Sequence, residues 1–250
     1  MSVAQSKGGD DAGGAGRVVV VVPCYRPQPG WGALLAERFA AFAKTQSAGA
    51  RLVLSHDGTP GGLAPEELRR LRRGVPDVEI LDSATNRGKG AALRAGVAFA
   101  GEAPITLYTD VDLPYTLASM QRVAEHVRVN GGVAAGERDE RYYAQVPRFR
   151  RWLSRAHRRL MRTAFRLPVS DSQAGLKAFD AVGRRVFLGT SVDRFLVDLD
   201  FIARCRGRVA VEPVKVELRA GVTFTDFGAD ILRAEAANFV NILKRTWRLG

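Results

Sequence analysis

Short apolar runs alternate with longer amphipathic stretches along most of the chain. The clearest run, residues 18–22, is five consecutive valines followed by a proline, which is typical of a strand buried on both faces of a parallel sheet. Further strands are predicted over residues 51–55, 78–81, 105–109 and 132–135, and helices over residues 32–44, 65–73, 89–100 and 116–129. This alternation predicts an α/β fold in which a mostly parallel sheet is flanked by helices.

The pattern predicts one domain, over residues 17–225, without repeats or an internal linker. Residues 1–16 are rich in glycine and lack the apolar core of a signal peptide, so we expect a flexible tail. Residues 226–250 carry apolar positions at helical spacing and predict an amphipathic helix, which either packs on the core or binds a membrane surface. No run approaches the roughly 20 apolar residues that span a bilayer, so we expect a cytoplasmic protein.

Charge is the unusual feature of the composition. The 38 basic and 26 acidic residues give a net charge of +12, which favours an anionic partner such as phosphate, nucleic acid or acidic lipid. The two cysteines, Cys24 and Cys205, are expected as reduced thiols. Because there is no Cys-x-x-Cys pair and the three histidines are scattered, the sequence argues against a structural zinc site.

Polar residues follow the ends of four predicted strands. They are Tyr25 and its neighbours, Asp57, the segment Asn-Arg-Gly-Lys-Gly over residues 86–90 (the glycine loop), and the pair Asp110 and Asp112. Ligands of open parallel sheets bind beyond the carboxyl ends of the strands. We therefore expect these four segments to line one crevice.

Asp110 and Asp112 are the candidate metal ligands. Carboxylates two residues apart in an extended segment point the same way, and two such oxygen donors suit Mg²⁺ or Mn²⁺ bound to a diphosphate. The structural alternative is that Asp112 starts the turn before Pro114 or caps the helix that follows.

The glycine loop is the candidate phosphate site. Gly88 and Gly90 allow close approach of the backbone, free N–H groups would face the ligand, and Lys89 adds a cation. The alternative is an ordinary helix start that contains glycine. Asp57, in His-Asp-Gly-Thr, is either a ligand contact or the first residue of a local Asx turn.

Five motifs occur in an order that resembles the family 2 inverting glycosyltransferases, and most of all the polyprenyl- and dolichyl-phosphate sugar transferases. The motifs are VVVVVPCYRPQ, LSHDGTPG, NRGKGAAL, YTDVDLPY and DSQAGLKAF, and the resemblance covers roughly residues 17–218. It implies a single nucleotide-binding domain of the GT-A type, a nucleoside-diphosphate sugar as donor, and Mg²⁺ or Mn²⁺ as cofactor.

The resemblance also assigns site residues. The positions that match the family's nucleotide-sugar site are Pro23, Tyr25, Asp57, Asn86, Lys89, Asp110 and Asp112. In the family, the residue matching Asp57 contacts the base or ribose, and the one matching Asp112 is the main metal ligand. The chain departs from the family at Arg26-Pro27, at His56, where relatives have an aspartate, and at Leu113-Pro114.

The segment Asp-Ser-Gln-Ala-Gly-Leu-Lys over residues 171–177 (the acceptor segment) resembles the part of lipid-phosphate glycosyltransferases that faces the acceptor. Asp171 is the candidate carboxylate beside the acceptor phosphate, either as a base or as an orienting group, with Ser172 and Gln173 as further acceptor contacts. A helix N-cap is the structural alternative for Asp171 or Ser172. Arg138 is a candidate phosphate ligand, with an exposed loop arginine as its alternative.

Residues 147–168 (the basic segment) contain eight arginines and no acidic residue, and without them the net charge would be +4. Apolar residues, including Phe149 and Trp152, form one helical stripe beside these arginines. A helix packed on the core and a nucleic-acid-binding helix are possible interpretations. We favour an amphipathic helix at an anionic membrane surface, since acidic headgroups attract such cations.

The resemblance implies an inverting transfer of one sugar to a polyprenyl phosphate. Glucose from UDP-glucose is favoured, because the acceptor segment resembles the dolichyl-phosphate glucosyltransferase branch more than the mannosyl one. The enzyme would be peripheral on the inner face of the cytoplasmic membrane and would use Asp112, Lys89 and Asp171 in catalysis. Two alternatives stay open. One is a transferase with a soluble or polysaccharide acceptor, and the other is a nucleotide- or nucleic-acid-binding module without catalysis.

Overall fold

A computed structural model of the chain describes residues 17–138, 169, 171, 174–220, 222, 238–239 and 241–242. The strands are β1 (Val18–Cys24), β2 (Ala50–Asp57), β3 (Glu79–Ser83), β4 (Ile105–Tyr108), β5 (Val133–Arg138), β6 (Lys177–Phe179) and β7 (Val211–Val216). The helices are α1 (Trp31–Ala43), α2 (Pro65–Gly74), α3 (Lys89–Phe99), α4 (Leu117–Asn130), α5 (Ala181–Leu188) and α6 (Val197–Cys205). Every strand and helix predicted between residues 17 and 135 is confirmed, with ends within three residues of those expected.

The strands form one seven-stranded sheet in the order β3-β2-β1-β4-β6-β5-β7. All neighbours are parallel except that β6 runs antiparallel to β4 and β5. The mostly parallel α/β fold is therefore confirmed. The sequence pattern did not predict β6, β7, α5 or α6. β6 has only three residues, which is too few for a periodic signal.

Two apolar cores cover the two faces of the sheet. Val18, Val20 and Val22 of β1 belong to the core that α1, α2 and α4 complete, whereas Val19 and Val21 belong to the core formed with α3, α5 and α6. Side chains alternate across a strand, so a strand covered on both faces needs an apolar residue at every position. The run of five valines is explained in this way.

Cys24 and Cys205 lie in opposite cores, and both are free and buried. The expectation of reduced thiols is confirmed. Burial raises the pKa of each thiol to about 12, so neither is a reactive thiolate near neutral pH.

Most residues of the predicted tail and of the two amphipathic segments lie outside the described residues. The tail (1–16) and the basic segment (147–168) lie there entirely. Of the C-terminal segment (226–250), the side chain of Ile242 is buried in the second core and Phe239 packs against that core, so this part contacts the protein interior. Within the described part of the chain, no helix has the length and apolar character to cross a membrane.

Helices α1 and α2 approach closely at Gly32. The Glu67 carboxylate accepts hydrogen bonds from the backbone N–H groups of Gly30 (3.3 Å) and Gly32 (2.8 Å), which satisfies two donors at the start of α1. A Cβ atom on Gly32 would lie 2.1 Å from the Glu67 carbonyl oxygen. Only glycine fits this contact, because the neighbouring atom belongs to rigid backbone.

We expect Gly32→Ala to lower the free energy of unfolding by about 1–3 kcal/mol, since α1 and α2 must separate to admit the methyl group. Urea unfolding followed by circular dichroism measures this change in the free energy of unfolding. Helix propensity alone has the opposite sign and favours alanine by up to about 1 kcal/mol. Ala33→Gly, on the exposed face of the same turn, reports that propensity. A Gly32→Ala protein more stable than the native chain would contradict the close contact.

Candidate active site at the carboxyl ends of the strands

Asp57, at the end of β2, holds the glycine loop in place. One carboxylate oxygen accepts hydrogen bonds from the Asn86 side-chain amide and the Gly88 N–H, both at 2.9 Å, and the other accepts from the Arg87 N–H at 2.8 Å. Three donors from residues 29 to 31 positions away thus converge on one buried carboxylate. Asp57 therefore braces a distant loop, which a local Asx turn would not do. Its contact with a base or ribose stays a prediction.

The backbone amides at the start of α3 are already paired within the protein. The N–H groups of Gly90 and Ala91 both donate to the Asp193 carbonyl, at 2.8 and 3.1 Å. Those of Arg87 and Gly88 donate to Asp57. The expectation that free loop amides face a ligand is therefore wrong for these four groups. The Lys89 side chain, beside Asp110, is then the loop's candidate group for a phosphate.

The glycines of this loop permit a close approach, but to protein. A Cβ atom on Gly88 would lie 2.4 Å from the Asp193 carbonyl oxygen, and one on Gly90 would lie 2.2 Å from that of Val192. Arg94 of α3 fixes the same stretch by donating to the Val192 carbonyl at 2.7 Å and pairing with the Asp193 carboxylate. The loop between α5 and α6 thus seals the amino end of α3.

Lys89 joins the glycine loop to the end of β4. Its ammonium donates to a carboxylate oxygen of Asp110 at 2.5 Å. Burial opposes the charge on Lys89, but Asp110, Asp198 and Asp112 outweigh that effect and raise the pKa of the ammonium above its usual value. Lys89 is therefore held as a cation beside the aspartate pair.

Asp110 to Leu113 form a tight turn after β4 (the aspartate turn), in which the Leu113 N–H donates to the Asp110 carbonyl at 2.9 Å. Leu113 is buried with a φ of 41°, a left-handed conformation rare for leucine. Thr116, whose side chain accepts from the Ser119 N–H, caps α4. Asp112 therefore neither starts this turn nor caps that helix.

Two arginines hold the carbonyl groups of the aspartate turn. Arg38 of α1 donates to the carbonyl of Asp112, and Arg219, after β7, donates to those of Leu113 (3.3 Å) and Tyr115 (3.0 Å). Neither arginine was predicted from the sequence. Their contacts are to backbone carbonyl groups, which every residue has, so no pattern of residue types identifies these two arginines.

The aspartate pair fits a divalent cation. Burial, followed by the charge of Asp110, raises the pKa of the Asp112 carboxyl, and a bound cation would offset both effects. Gly175 leaves room beside them, because a Cβ atom there would lie 2.7 Å from the second Asp110 oxygen. Within the described ranges no set of three or more acidic, histidine or cysteine side chains forms a metal cluster. Such a cation would need substrate oxygens or water to complete its coordination.

Arg138 forms a bidentate ion pair with the buried carboxylate of Asp171. The Nε and one Nη atom of Arg138 donate to the two carboxylate oxygens of Asp171 at 2.7 and 2.9 Å. Burial by itself would raise the pKa of Asp171, but the hydrogen bonds and charge of Arg138 lower it below its usual range. The structure thus brings together the two residues that the sequence nominated separately, and Asp171 caps no helix in the described part of the chain. Ser172 and Gln173 lie outside the described residues.

The end of β1 forms the outer rim of the crevice. Pro23 lies in β1 beyond the last residue that pairs with β4, where a missing N–H is tolerated. The Tyr25 side chain is 42% exposed, and the Arg26 guanidinium lies 5.3 Å from the centre of its ring. The Arg26 N–H donates to the Thr59 hydroxyl at 2.9 Å, which links the ends of β1 and β2.

His56, the departure from the family pattern, is buried and paired on both nitrogens. Its Nε2 atom accepts from the Thr59 N–H at 2.8 Å, and its Nδ1 atom lies 2.5 Å from the Asp82 carboxylate. Since Nε2 is an acceptor, the proton lies on Nδ1 and is donated to Asp82. His56 thus ties β2 to β3 and supports the loop that follows Asp57.

Three comparisons bear on what this site does. The sequence model of the Glycosyl transferase family 2 matches residues 19–184, about two thirds of the chain. No curated protein sequence matches the chain.

Solved structures share the fold at low sequence identity. The glucosyl-3-phosphoglycerate synthase of Mycobacterium tuberculosis, solved with Mn²⁺, UDP and glucosyl-3-phosphoglycerate, is 13% identical, with a TM-score of 0.60 and coverage of 92% of this chain and 79% of that one. The mannosyl-3-phosphoglycerate synthase of Rubrobacter xylanophilus is 15% identical, with a TM-score of 0.65 and coverage of 93% and 74%. A mannosyltransferase of Pyrobaculum calidifontis, solved with GDP-mannose and Mn²⁺, is 18% identical, with a TM-score of 0.54 and coverage of 80% and 55%.

We expect Arg138→Met to destabilise the protein by about 3–5 kcal/mol at pH 7, because the buried Asp171 carboxylate loses the Arg138 cation. The stabilisation from the Arg138–Asp171 pair is full above the unfolded pKa of an aspartate, about 3.9, and is lost as the pH falls through the lower folded pKa. In the variant, Asp171 protonates at a higher pH. The stability lost relative to the native protein should therefore be smaller at pH 4.5 than at pH 7.

Urea unfolding at the two pH values measures this difference. Arg122→Met, at an exposed arginine whose nearest carboxylate is Glu217 at 4.0 Å, is the control and should change stability by less than about 1 kcal/mol at either pH. An equal deficit for Arg138→Met at both pH values would contradict the assigned ion pair.

Proposed function

This chain belongs to glycosyltransferase family 2, and from that premise we propose that it transfers glucose from UDP-glucose to a polyprenyl phosphate with inversion at the anomeric carbon. The observation that carries the proposal is the contact between Lys89 and Asp110. This contact joins the glycine loop to the aspartate turn at the edge of the sheet where the other strand ends meet. A cation and two carboxylates at this edge suit a nucleoside diphosphate bound through its phosphates.

Asp110 and Asp112 would hold Mg²⁺ or Mn²⁺, which, when bound, neutralises the charge that develops on the leaving diphosphate. Solved structures of two transferases with this fold contain Mn²⁺ together with UDP or GDP-mannose, which supports the assignment. Lys89 remains protonated beside them and adds a fixed positive charge to the same region. Asp57 contributes by holding the glycine loop that presents Lys89, with Asn86 as one of its partners.

The reaction needs no proton transfer when the acceptor is a phosphate. An ionised phosphate oxygen attacks the anomeric carbon, the bond from that carbon to the donor phosphate breaks, and its electron pair leaves with UDP. Asp171 is a weak base, because Arg138 lowers its pKa. Its role in the proposal is therefore to fix Arg138 and the acceptor segment, with Ser172 and Gln173 as further acceptor contacts.

The lipid acceptor rests on sequence features. The acceptor segment resembles that of lipid-phosphate glycosyltransferases, and the basic segment directly precedes it with eight arginines and no acidic residue. Arginines beside a Trp, Phe and Leu stripe suit an anionic membrane surface. The proposal accordingly includes peripheral binding to the inner face of the cytoplasmic membrane.

A soluble phosphorylated acceptor is the second candidate. Two of the structures with this fold are named for transfer to 3-phosphoglycerate, and one was solved with phosphoglyceric acid. In such a reaction a hydroxyl group would attack, and Asp171 would then be needed as a stronger base than its pairing with Arg138 favours.

We expect the native protein with Mg²⁺ to move label from UDP-[¹⁴C]glucose into the organic phase when undecaprenyl phosphate is present. Label that stays in water and joins 3-phosphoglycerate would favour the second candidate. Parallel reactions with GDP-[¹⁴C]mannose test the sugar. Label incorporated into neither acceptor by folded protein would contradict the proposal.

Asp112→Asn should lower that transfer at least about 100-fold, because removal of a ligand weakens both metal binding and the neutralisation of the leaving group. Asp77→Asn, at an exposed position just before β3 and thus away from the carboxyl ends of the strands, should stay within twofold of the native rate. Isothermal titration with Mn²⁺ and UDP separates lost binding from lost chemistry. An Asp112→Asn protein with native turnover would exclude the metal site.

Lys89→Met should lower kcat by about 10²–10³, since the leaving diphosphate loses a preorganised cation. Initial rates at saturating UDP-glucose measure this effect. Lys44→Met, at an exposed position just after α1, is the matched control and should keep the native kcat. If Lys89→Met changed only the KM for the donor, Lys89 would bind the donor without assisting departure of UDP.

A further inference from the structure

Another ion pair lies in the protein interior next to the active site. The ammonium of Lys177, in β6, donates to a carboxylate oxygen of Asp198, in α6, at 2.6 Å, and both side chains are almost wholly inaccessible to solvent. The hydroxyl of Tyr108, in β4, donates to the same oxygen at 2.6 Å. One carboxylate therefore connects the end of β4 to β6 and α6.

The same ammonium also holds the acceptor segment. Lys177 donates a second hydrogen bond, at 2.6 Å, to the backbone carbonyl of Ala174. The next residue, Gly175, packs against the active-site ion pair. A Cβ atom there would lie 2.7 Å from an Asp110 oxygen and 3.5 Å from the Lys89 nitrogen. An unbroken series of contacts thus runs from Asp198 through Lys177 and Ala174 to the donor site.

Stability alone does not explain a charged pair in this place. The cost of desolvating two ions offsets most of their attraction. Well-packed apolar residues of similar volume commonly stabilise a protein as much as a buried ion pair does, or more. The surroundings are apolar, since Phe179, Phe187 and Phe201 form an aromatic cluster next to Tyr108. An apolar pair could fill this space but could not hold the Ala174 carbonyl.

We propose that Lys177 and Asp198 are positioning residues that fix the acceptor segment against Asp110, and so set the distance between acceptor and donor. This inference rests on the proposed function for its catalytic consequence. The segment is held at its other end by Asp171, through Arg138. Lys177 and Asp198 touch neither substrate. They act through the backbone at Ala174 and Gly175.

The decisive variant is the charge-free double substitution Lys177→Met/Asp198→Asn. Lys177→Met alone leaves the buried Asp198 carboxylate without its cation and should lower the melting temperature by about 10 °C. The double variant removes both charges and keeps an amide oxygen for the Tyr108 hydroxyl, so most of that loss should be recovered. It also leaves the net charge near Lys89 unchanged, so the affinity for UDP with Mn²⁺ should stay within about threefold.

The recovered double variant should still transfer poorly. We expect kcat/KM for undecaprenyl phosphate to fall by roughly 10–100-fold, because a small displacement of a reacting group has effects of that size. Hydrogen exchange of residues 174–176 should become faster while the melting temperature is close to native. A fold-wide loss of stability would not produce this combination.

The matched control is Asp200→Asn/Arg204→Met, which removes another ion pair of α6, at 2.9 Å, without touching Ala174. In this control, hydrogen exchange at residues 174–176 should be as slow as in the native protein, and the rate of transfer should stay within about threefold of the native rate. If Lys177→Met/Asp198→Asn recovers both stability and transfer, or leaves that exchange unchanged, the inference is wrong. Failure of the proposed function is distinguishable, because the native chain itself would then transfer no glucose.

Discussion

The ion pair between Lys89 and Asp110 is the contact on which the site depends. It joins a residue at the start of α3 to one just after β4, 21 positions apart in the chain. Asp110, Asp112 and Asp198 all act on the same ammonium, which therefore stays charged in spite of its burial. Without that cation, Asp110 and Asp112 would repel each other at the end of β4, whereas Asp198 would keep its own partner, Lys177. The remaining contacts, from Asp57 and from the loop between α5 and α6, serve to hold Lys89 in position.

Much of the donor side of the site could be predicted from the sequence. Polar residues that end apolar strands must meet at one edge of a parallel sheet, and Asp57, Lys89 and Asp110 do so. The pair Asp110 and Asp112 was recognisable because its spacing and its place after a strand are local features. The five valines of β1 were equally informative, since an uninterrupted apolar run indicates a strand covered on both faces.

The rest could not be predicted, for identifiable reasons. The Asp193 carbonyl accepts from Gly90 and Ala91, and carbonyl groups are present at every residue, so nothing in the sequence distinguishes this one. Free loop amides were expected from the glycines and from the start of a helix, and neither feature distinguishes a bound ligand from another loop of the protein. The pairing of Lys177 with Asp198 could not be predicted for a related reason. In a sequence, a charged residue resembles a surface position until its partner, here 21 residues away, is known.

The central place of β6 has a consequence for how the chain reaches this fold. This three-residue strand lies between β4 and β5, although β5 precedes it by about 40 residues in sequence. The half-sheet made by β1 to β4 can assemble as soon as residue 108 has been synthesised, but β5 has no route into the sheet until residues 177–179 arrive. Pairings between such distant segments have a large loop-closure entropy and form slowly. The ends of β2 and β4, with Asp57 and Asp110, can thus meet before β6 arrives, whereas Val192 and Asp193, which seal the start of α3, lie later in the chain. Until β6 inserts, the free edge of β4 is exposed to pairing with other chains.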